Sequence, residues 1–238
     1  MNSKLKGNLY LIPATIGEGP VEKVIPSYNQ TIINKIDVYI VEEIRTARRF
    51  LKKAGLVKAI DDLTFHVLNE HSKDNEITSY LDAIKEGKHV GLLSEAGVPC
   101  IADPGAAIVK IAQSNNINVI PLVGPSSIFM ALMASGFNGQ QFSFLGYLPV
   151  DKKLRVDKLK EIEKNIYQRN ETQLFIETPY RNIQMIESII SACRNETMLC
   201  IATDVSLETE YIKTKTIAQW KKSIPEINKR ATVFLLYK

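Results

Sequence analysis

Short apolar runs alternate with amphipathic segments in the first half of the chain. The runs are rich in β-branched residues and are predicted strands at residues 8–12, 36–41, 63–68, 90–94 and 119–123. Between them, Ile44, Ala47 and Leu51 recur at helical spacing before Gly55, and a second helical pattern covers residues 77–84. Because uninterrupted apolar strands that alternate with helices are typical of sheets covered on both faces, this half is predicted to be a mostly parallel, helix-flanked sheet.

The pattern changes after about residue 124. Predicted strands at residues 142–147, 172–178, 198–203 and 232–237 are joined by predicted helices at 154–166 and 182–193, and residues 206–216 alternate weakly, as in a hairpin strand. We therefore predict an α/β protein of two α/β domains, residues 1–122 with a mostly parallel sheet and residues 123–238 with a mixed sheet.

Overall composition and net charge say little about function, whereas the local distribution of charge says more. A content of 45% hydrophobic and 24% charged residues is typical of globular proteins, and the net charge of +4 is too small to indicate a nucleic-acid partner. However, the stretch from Arg45 to Lys58 contains no acid, and its predicted helix carries the cations Arg45, Arg48, Arg49, Lys52 and Lys53. This cluster indicates either a phosphate-binding surface or an ordinary solvated helix face.

Several classes of protein are disfavoured by what the sequence lacks. The apolar runs are far shorter than the roughly 20 residues of a membrane span, and the run that stops at Pro13 is too short for a signal peptide, which predicts a cytoplasmic protein without membrane contact. The three cysteines have no C-x-x-C spacing, and His66, His71 and His89 form no ligand motif, so no metal site is expected.

Four loops that follow predicted strands have unusual chemistry, at residues 11–20, 94–105, 121–127 and 175–181. None contains the G-x-G-x-x-G pattern of dinucleotide sites or the G-x-S-x-G pattern of hydrolases. Asp103 is either a helix cap or a ligand residue, and the same alternatives apply to Ser126 and Ser127. Glu177 and Arg181 bind a ligand or pair with each other.

In order along the chain, the motifs of these loops resemble the tetrapyrrole methylase superfamily of S-adenosylmethionine-dependent methyltransferases. Within it they resemble the ribosomal RNA small-subunit methyltransferase I branch, which methylates a ribose 2′-hydroxyl. The matching motifs are LYLIP at 9–13, EEIRT at 42–46, LSEAGVP at 93–99, DPG at 103–105, PLVGPSS at 121–127, ASG at 134–136, FLGYLP at 144–149 and ETPYR at 177–181.

The resemblance implies two α/β domains, a homodimer, and S-adenosyl-L-methionine held in the cleft between the domains. Carried over position by position, it implies a cofactor site made mostly of backbone groups and small side chains. The implied cofactor-binding residues are Pro13, Ser94, Glu95, Ala96, Gly97, Val98, Ile101, Ala102, Ser126, Ser127, Ile176 and Ala202.

The implied reaction also suggests catalytic residues. A hydroxyl acceptor must lose a proton, so a positioned carboxylate is useful, and alignment of donor and acceptor supplies most of the rest. We predict Glu43 as the base, with Arg45 orienting the acceptor or its phosphate.

Departures from the branch pattern keep three functions open. Glu18 stands where the branch has Asn, Glu42-Glu43-Ile44-Arg45 replaces Glu-Asp-Thr-Arg, and the sequence stops where the branch has a C-terminal extension. The expectations are therefore an enzyme that methylates ribosomal RNA or the small ribosomal subunit, a methyltransferase of another acceptor such as a tetrapyrrole, a modified protein residue or a small metabolite, and a cofactor-binding protein without catalysis.

Overall fold

In a computed structural model, the chain forms two compact units, residues 1–126 and 127–238, called here the first and second unit. The structure describes residues 7–69, 72 and 74–238, with the backbone alone at 74 and 75. The sequence predicted a domain boundary between residues 122 and 123. In the structure the turn from Val123 to Ser126 belongs to the first unit, so the division falls four residues later. In the described part of the chain, no helix is long and apolar enough to cross a membrane.

The first unit is a five-stranded sheet in which every strand pair is parallel, with the strand order β3-β2-β4-β1-β5. Its strands are β1 (Leu9–Ile12), β2 (Val38–Val41), β3 (Thr64–Val67), β4 (Val90–Leu93) and β5 (Val119–Pro121). Its helices are α1 (Ser27–Ile33), α2 (Ile44–Lys53), α3 (Asp74–Ser79), α4 (Asp82–Lys85) and α5 (Gly105–Ser114), with 3-10 turns at Val21–Lys23 and Ile60–Asp62. The predicted parallel sheet is confirmed.

Both faces of this sheet are buried, which explains its uninterrupted apolar strands. In β2, Tyr39 and Val41 pack with Ile33 of α1 and Leu51 of α2 on one face. Val38 and Ile40 belong to the opposite cluster, with residues of α4 and α5. Successive side chains of a strand point to opposite faces, so a strand covered on both sides is apolar at every position.

The second unit has a five-stranded mixed sheet, in the order β6-β7-β10-β8-β9, where β6 and β7 are parallel and the other pairs antiparallel. Its strands are β6 (Phe142–Tyr147), β7 (Thr172–Glu177), β8 (Met198–Thr203), β9 (Tyr211–Thr216) and β10 (Thr232–Tyr237). Its helices are α6 (Ser127–Ser135), α7 (Lys152–Arg169), α8 (Asn182–Ala192) and α9 (Ile217–Trp220), with a 3-10 turn at Pro179–Arg181. The predicted mixed sheet is confirmed.

Two segments differ from the sequence-based expectation. The single helix expected over residues 77–84 is instead the pair α3 and α4, interrupted at Tyr80 and Leu81, whose side chains are buried. Helix α1 was not predicted, since Pro20 and Pro26 made its surroundings look like loop. Helix α1 nevertheless buries Ile32 and Ile33 against the sheet.

Candidate functional site

The carboxyl ends of the parallel strands bring several predicted site residues to one edge of the first sheet. Ile12 and Val41 both pair with Leu93, so Pro13, Glu42 and Ser94 are the next residues on three adjacent strands. Loops at this edge of an open α/β sheet are where such proteins bind their ligands.

The loop after β4, residues Ser94 to Val98, is called here the cofactor loop. The Ala14 N–H donates a 2.9 Å hydrogen bond to the Gly97 carbonyl, which ties this loop to the one after β1. Within the loop, the Ser94 hydroxyl accepts from the Ala96 N–H at 3.3 Å. Ala96 is exposed, so the loop presents small groups and backbone to solvent.

Two glycines allow the loops after β1, β4 and β5 to come close. Gly97 has φ +70°, and a side-chain carbon there would lie 3.1 Å from the Pro125 carbonyl. A side-chain carbon at Gly124 would lie 2.2 Å from ring carbons of Pro13, so only glycine fits. The three loops therefore form one rigid platform, which includes the predicted residues Pro13 and Gly97 and adjoins Ser126.

A strained turn follows the cofactor loop. Cys100 and Ala102 have φ values of 70° and 62°, which non-glycine residues rarely adopt. Both carboxylate oxygens of Asp103 accept from the Cys100 N–H at 2.9 Å, and one also accepts from the Gly105 N–H at 2.8 Å. Asp103 thus holds the turn and the start of α5, which supports the capping alternative, while the side chains of Ile101 and Ala102 are left exposed.

Glu43 caps helix α2. Its two carboxylate oxygens accept from the backbone N–H groups of Arg45, at 2.8 Å, and Thr46, at 2.7 Å. These hydrogen bonds lower the pKa of Glu43, because they stabilise the ionised form. A low pKa and two occupied oxygens suit a cap better than a base, so they count against the predicted role of Glu43, which stays a prediction. The side chain of Arg45 is exposed at the same helix end.

Glu42 has the opposite environment. It continues the face of β2 that carries Val38 and Ile40, and it is half-buried. Burial raises the pKa of Glu42, the charges of Asp103 and Glu95 raise it further, and a hydrogen bond with the Glu95 backbone opposes them. Sequence analysis predicted Glu43 as the base and gave Glu42 no catalytic role, although the two-residue period of a strand predicts that the two point to opposite faces.

A cavity of about 200 Å³ lies beside the cofactor loop, within the first unit. Its lining includes Thr15 and Glu18 from the loop after β1, Thr46, Arg49 and Lys53 from α2, and Glu95 from the cofactor loop. The Thr46 hydroxyl donates a 2.7 Å hydrogen bond to Glu95.

The cations of α2 are less isolated than their sequence suggests. Glu18 pairs with Lys53 at 2.6 Å and Arg49 at 3.7 Å, and Asp61 pairs with Arg48 at 3.3 Å. The run from Arg45 to Lys58 contains no acid, but acids from other elements reach it. These contacts could not be read from local sequence, because they depend on how the elements pack.

The remaining predicted residues lie in the second unit. Ser127 is the first residue of α6, and Ile176 and Ala202 lie on β7 and β8, in the apolar cluster that packs against α6. Ala202 is fully buried, backbone included, so its predicted contact with the cofactor stays a prediction.

Glu177 and Arg181 pair with each other, at 2.6 Å between Glu177 Oε1 and Arg181 Nη2. This is the structural alternative that the sequence left open.

Metal-ligating side chains are not clustered in the described residues, where no three His, Cys, Asp or Glu groups lie close enough to hold an ion. His71 is outside the described residues. The burial that raises the pKa of Cys100 to about 11 and of Cys193 to about 12 also makes these thiols poor ligands.

The fold of this chain is shared with solved methyltransferases. The methyltransferase CobJ superposes with a TM-score of 0.64, covering 98% of this chain and 94% of its own at 16% identity. Uroporphyrin III C-methyl transferase from Thermus thermophilus gives a TM-score of 0.60 over 98% of both chains at 13% identity. At these identities the likeness concerns the fold.

Sequence comparison identifies the family. Residues 30–220 match the family described as Tetrapyrrole (Corrin/Porphyrin) Methylases. The ribosomal RNA small subunit methyltransferase I of Buchnera aphidicola subsp. Schizaphis graminum is 30% identical over 99% of this chain and 80% of its own. The protein of the same name from Haemophilus influenzae is 27% identical over 98% of this chain and 79% of its own. The chain belongs to the tetrapyrrole methylase family.

It is therefore a methyltransferase whose methyl donor is S-adenosylmethionine. The described site fits such a donor, because the cofactor loop offers exposed backbone at Ala96, a close approach at Gly97, and the exposed side chains of Ile101 and Ala102.

Proposed function

We propose that this methyltransferase methylates a ribose 2′-hydroxyl of ribosomal RNA in the small subunit. The observation that carries the proposal is the cavity between α2 and the cofactor loop, whose wall contains Arg49 and Lys53. Cations beside a cofactor site attract a phosphate backbone. The two relatives, which are named as ribosomal RNA small subunit methyltransferases and match nearly the whole chain, support ribosomal RNA as the acceptor.

S-adenosylmethionine, when bound, supplies an activated methyl group whose transfer releases a neutral thioether. The protein then has two tasks, to hold the hydroxyl in line with that methyl group and to take the hydroxyl proton. Alignment of this kind is worth ~7–11 kcal/mol of the barrier, so rigid loops matter more than reactive side chains. The platform formed by Pro13, Gly97 and Gly124 supplies that rigidity.

Two neighbouring carboxylates are candidates for the base. Glu43 is the residue predicted from sequence, with Arg45 to orient the acceptor, but its oxygens cap α2. Glu42 lies at the same strand end, and its raised pKa brings it closer to the range of an efficient base at neutral pH. We therefore favour Glu42 as the group that takes the proton. Glu43 has a structural role in this proposal, as the cap of α2 beside the site.

The cofactor residues implied by the resemblance are part of the proposal. In the first unit they are Pro13, the cofactor loop, Ile101, Ala102 and Ser126, and in the second unit Ser127, Ile176 and Ala202. Homodimer formation and a cytoplasmic location stay predictions. The first is checked by measuring the mass of the protein in solution.

The acceptor is tested with labelled methyl donor. The purified protein is incubated with S-adenosylmethionine that carries tritium in its methyl group. The acceptor is small ribosomal subunits that no related methyltransferase has already methylated. We expect label in the RNA, and in nucleosides modified at the ribose after digestion.

Label that enters only tetrapyrroles, proteins or small metabolites of a cell extract would contradict the RNA proposal and support another acceptor. Cofactor binding measured by calorimetry, without transfer to any fraction, would support a protein without catalysis. The Glu42→Gln variant is the matched control, because we expect it to bind the cofactor and to transfer label far more slowly than the wild type.

A further inference from the structure

One carboxylate in the cavity bridges two cations. Glu18 Oε2 lies 2.6 Å from Lys53 Nζ, and Glu18 Oε1 lies 3.7 Å from Arg49 Nη2. Each oxygen of the carboxylate thus faces a different cation. A phosphate group held by an arginine and a lysine presents its oxygens in the same way.

The two cations are placed by α2 itself. Arg49 and Lys53 are four residues apart, so they lie on the same face of the helix. Glu18 comes from the loop after β1, which also lines the cavity. The helix therefore fixes the spacing of the cations, and the loop brings an anion to them.

All three side chains can be reached from solvent, with exposures of 72% for Glu18, 60% for Arg49 and 47% for Lys53. Ion pairs this exposed are weak, because water and salt screen them. Another anion can therefore replace the carboxylate at little cost.

The position of the pair relates it to the reaction. Ser94 and Glu95 of the cofactor loop line the same cavity as Glu18. An anion bound by Arg49 and Lys53 would therefore lie beside the cofactor loop. In a ribose methyltransferase, the anion next to the reacting sugar is a phosphate of the RNA backbone.

We propose that Arg49 and Lys53 form a binding site for a backbone phosphate of the acceptor RNA, and that Glu18 occupies this site until the phosphate displaces it. The proposal rests on the proposed function, since it names the acceptor of the same site. Glu18 keeps the two cations in position in the free protein and competes with the substrate.

The competition persists over a wide pH range. The hydrogen bond from Lys53, and the charges of Lys53 and Arg49, lower the pKa of Glu18. Glu18 therefore stays ionised at neutral pH and below. Removing its charge leaves the two cations without this partner, which favours the phosphate.

The test compares variants in binding a short single-stranded RNA oligonucleotide, measured by fluorescence anisotropy at several salt concentrations. We expect Glu18→Gln to bind RNA several-fold more tightly than the wild type. Lys53→Gln and Arg49→Gln should each bind more weakly. In the Lys53→Gln background, the gain from Glu18→Gln should shrink, because the competing contact has gone.

Asp61→Asn is the matched control. It removes the same charge and frees Arg48 of the same helix, which does not line the cavity. We expect little change in RNA affinity. If Asp61→Asn tightens binding as much as Glu18→Gln, or if Glu18→Gln gains nothing, the phosphate site is wrong and only net charge matters.

Two further measurements separate this inference from the proposed function. Calorimetry with S-adenosylmethionine confirms that each variant is folded, and transfer of label to small subunits tests the acceptor. If wild-type protein labels the subunits but the Glu18 and Lys53 variants bind RNA like the wild type, the inference alone fails. If the variants show the expected pattern without label in the subunits, the proposed function fails and the phosphate site stands.

Discussion

The two units differ in how far the charged side chains of their strand ends and helices are buried. In the first unit, Glu42 and Glu95 follow strands at the edge of the parallel sheet and are half-buried or exposed. In the second unit, Arg155, Glu163 and Glu177 are at least nine-tenths buried and hydrogen-bonded. We therefore expect the same residue types to take part in binding or chemistry in the first unit and to hold the structure together in the second, and their burial distinguishes the two groups.

In the second unit, Arg155 and Glu163 each have at least two hydrogen-bond partners. Arg155 donates from Nε to the Ser188 hydroxyl at 3.0 Å and from Nη1 to the Val150 carbonyl at 2.7 Å. Glu163 accepts from the Thr197 hydroxyl at 2.6 Å and from the Arg194 N–H at 2.7 Å. These bonds tie α7 to α8 and to the segment before β8, so they stabilise the fold.

The largest effect is expected at Glu42. Glu42→Gln removes the proposed base, and we expect kcat for methyl transfer to fall ~10²–10⁴-fold with cofactor affinity unchanged. Single-turnover transfer and calorimetry measure the two quantities. A rate within threefold of the wild type would show that Glu42 is not the base, and it would weaken the contrast between the two units.

The next effect is expected in the second unit, on stability. Arg155→Met leaves the Ser188 hydroxyl and the Val150 carbonyl without this donor, so we expect a loss of ~2–3 kcal/mol in the free energy of unfolding. Urea denaturation measures it. The Arg155→Lys variant keeps the positive charge but has one ammonium nitrogen in place of the planar guanidinium. It should therefore recover only part of the lost stability. Unchanged stability in both variants would show that the buried guanidinium is dispensable.

A smaller effect is expected for Glu43→Ala, which should lower the stability of the protein rather than its turnover. Because the pKa of Glu43 is lowered in the folded protein, its contribution to stability is present above the ordinary glutamate pKa and is lost as pH falls through the lowered value. Glu43→Ala should therefore reduce Tm at pH 7, and the difference should vanish in acid. Thermal unfolding at several pH values measures it. A loss of turnover as large as that of Glu42→Gln would instead restore Glu43 as the base.

The smallest expected effect is an increase in the stability of Glu42→Gln. The pKa of Glu42 is raised in the folded protein, so ionisation weakens the fold as pH rises through the window between the ordinary and the raised value. Above that window, Glu42→Gln should have a slightly higher Tm than wild type, and below it the two should agree. At pH 7 we therefore expect a Tm above that of the wild type for Glu42→Gln and below it for Glu43→Ala. Such opposite changes would show most clearly that the two neighbouring carboxylates have different environments.

Local pattern was enough for most of the fold. The strands Phe142–Tyr147, Met198–Thr203 and Thr232–Tyr237 have the bounds predicted from sequence, because each is a continuous apolar or β-branched run between turn residues. Helix α1 was missed because its helical pattern is short and follows prolines. Its buried Asn29 donates to the Val123 carbonyl, a tertiary contact with no local signal.

The candidate site was predicted less completely. The loops around Pro13, Ser94 and Ser126 could be found because small and proline residues after a strand are unusual. The choice between Glu42 and Glu43 could not be made from residue type, since it depends on which carboxylate meets the free N–H groups of α2. The partner of Lys53 was also hidden, because Glu18 is far from it in sequence.

The order of strands in the first sheet has a consequence for the synthesis of the protein. Strand β1 lies between β4 and β5, so Leu9 pairs with Val90 on one side and with Val119 on the other. While the chain is being made, β1 has no partner on either side until β4 emerges, and its second edge stays open until β5 follows. An apolar strand that waits this long is exposed to wrong pairing with other chains. We expect nascent chains that end before β4 to need a chaperone.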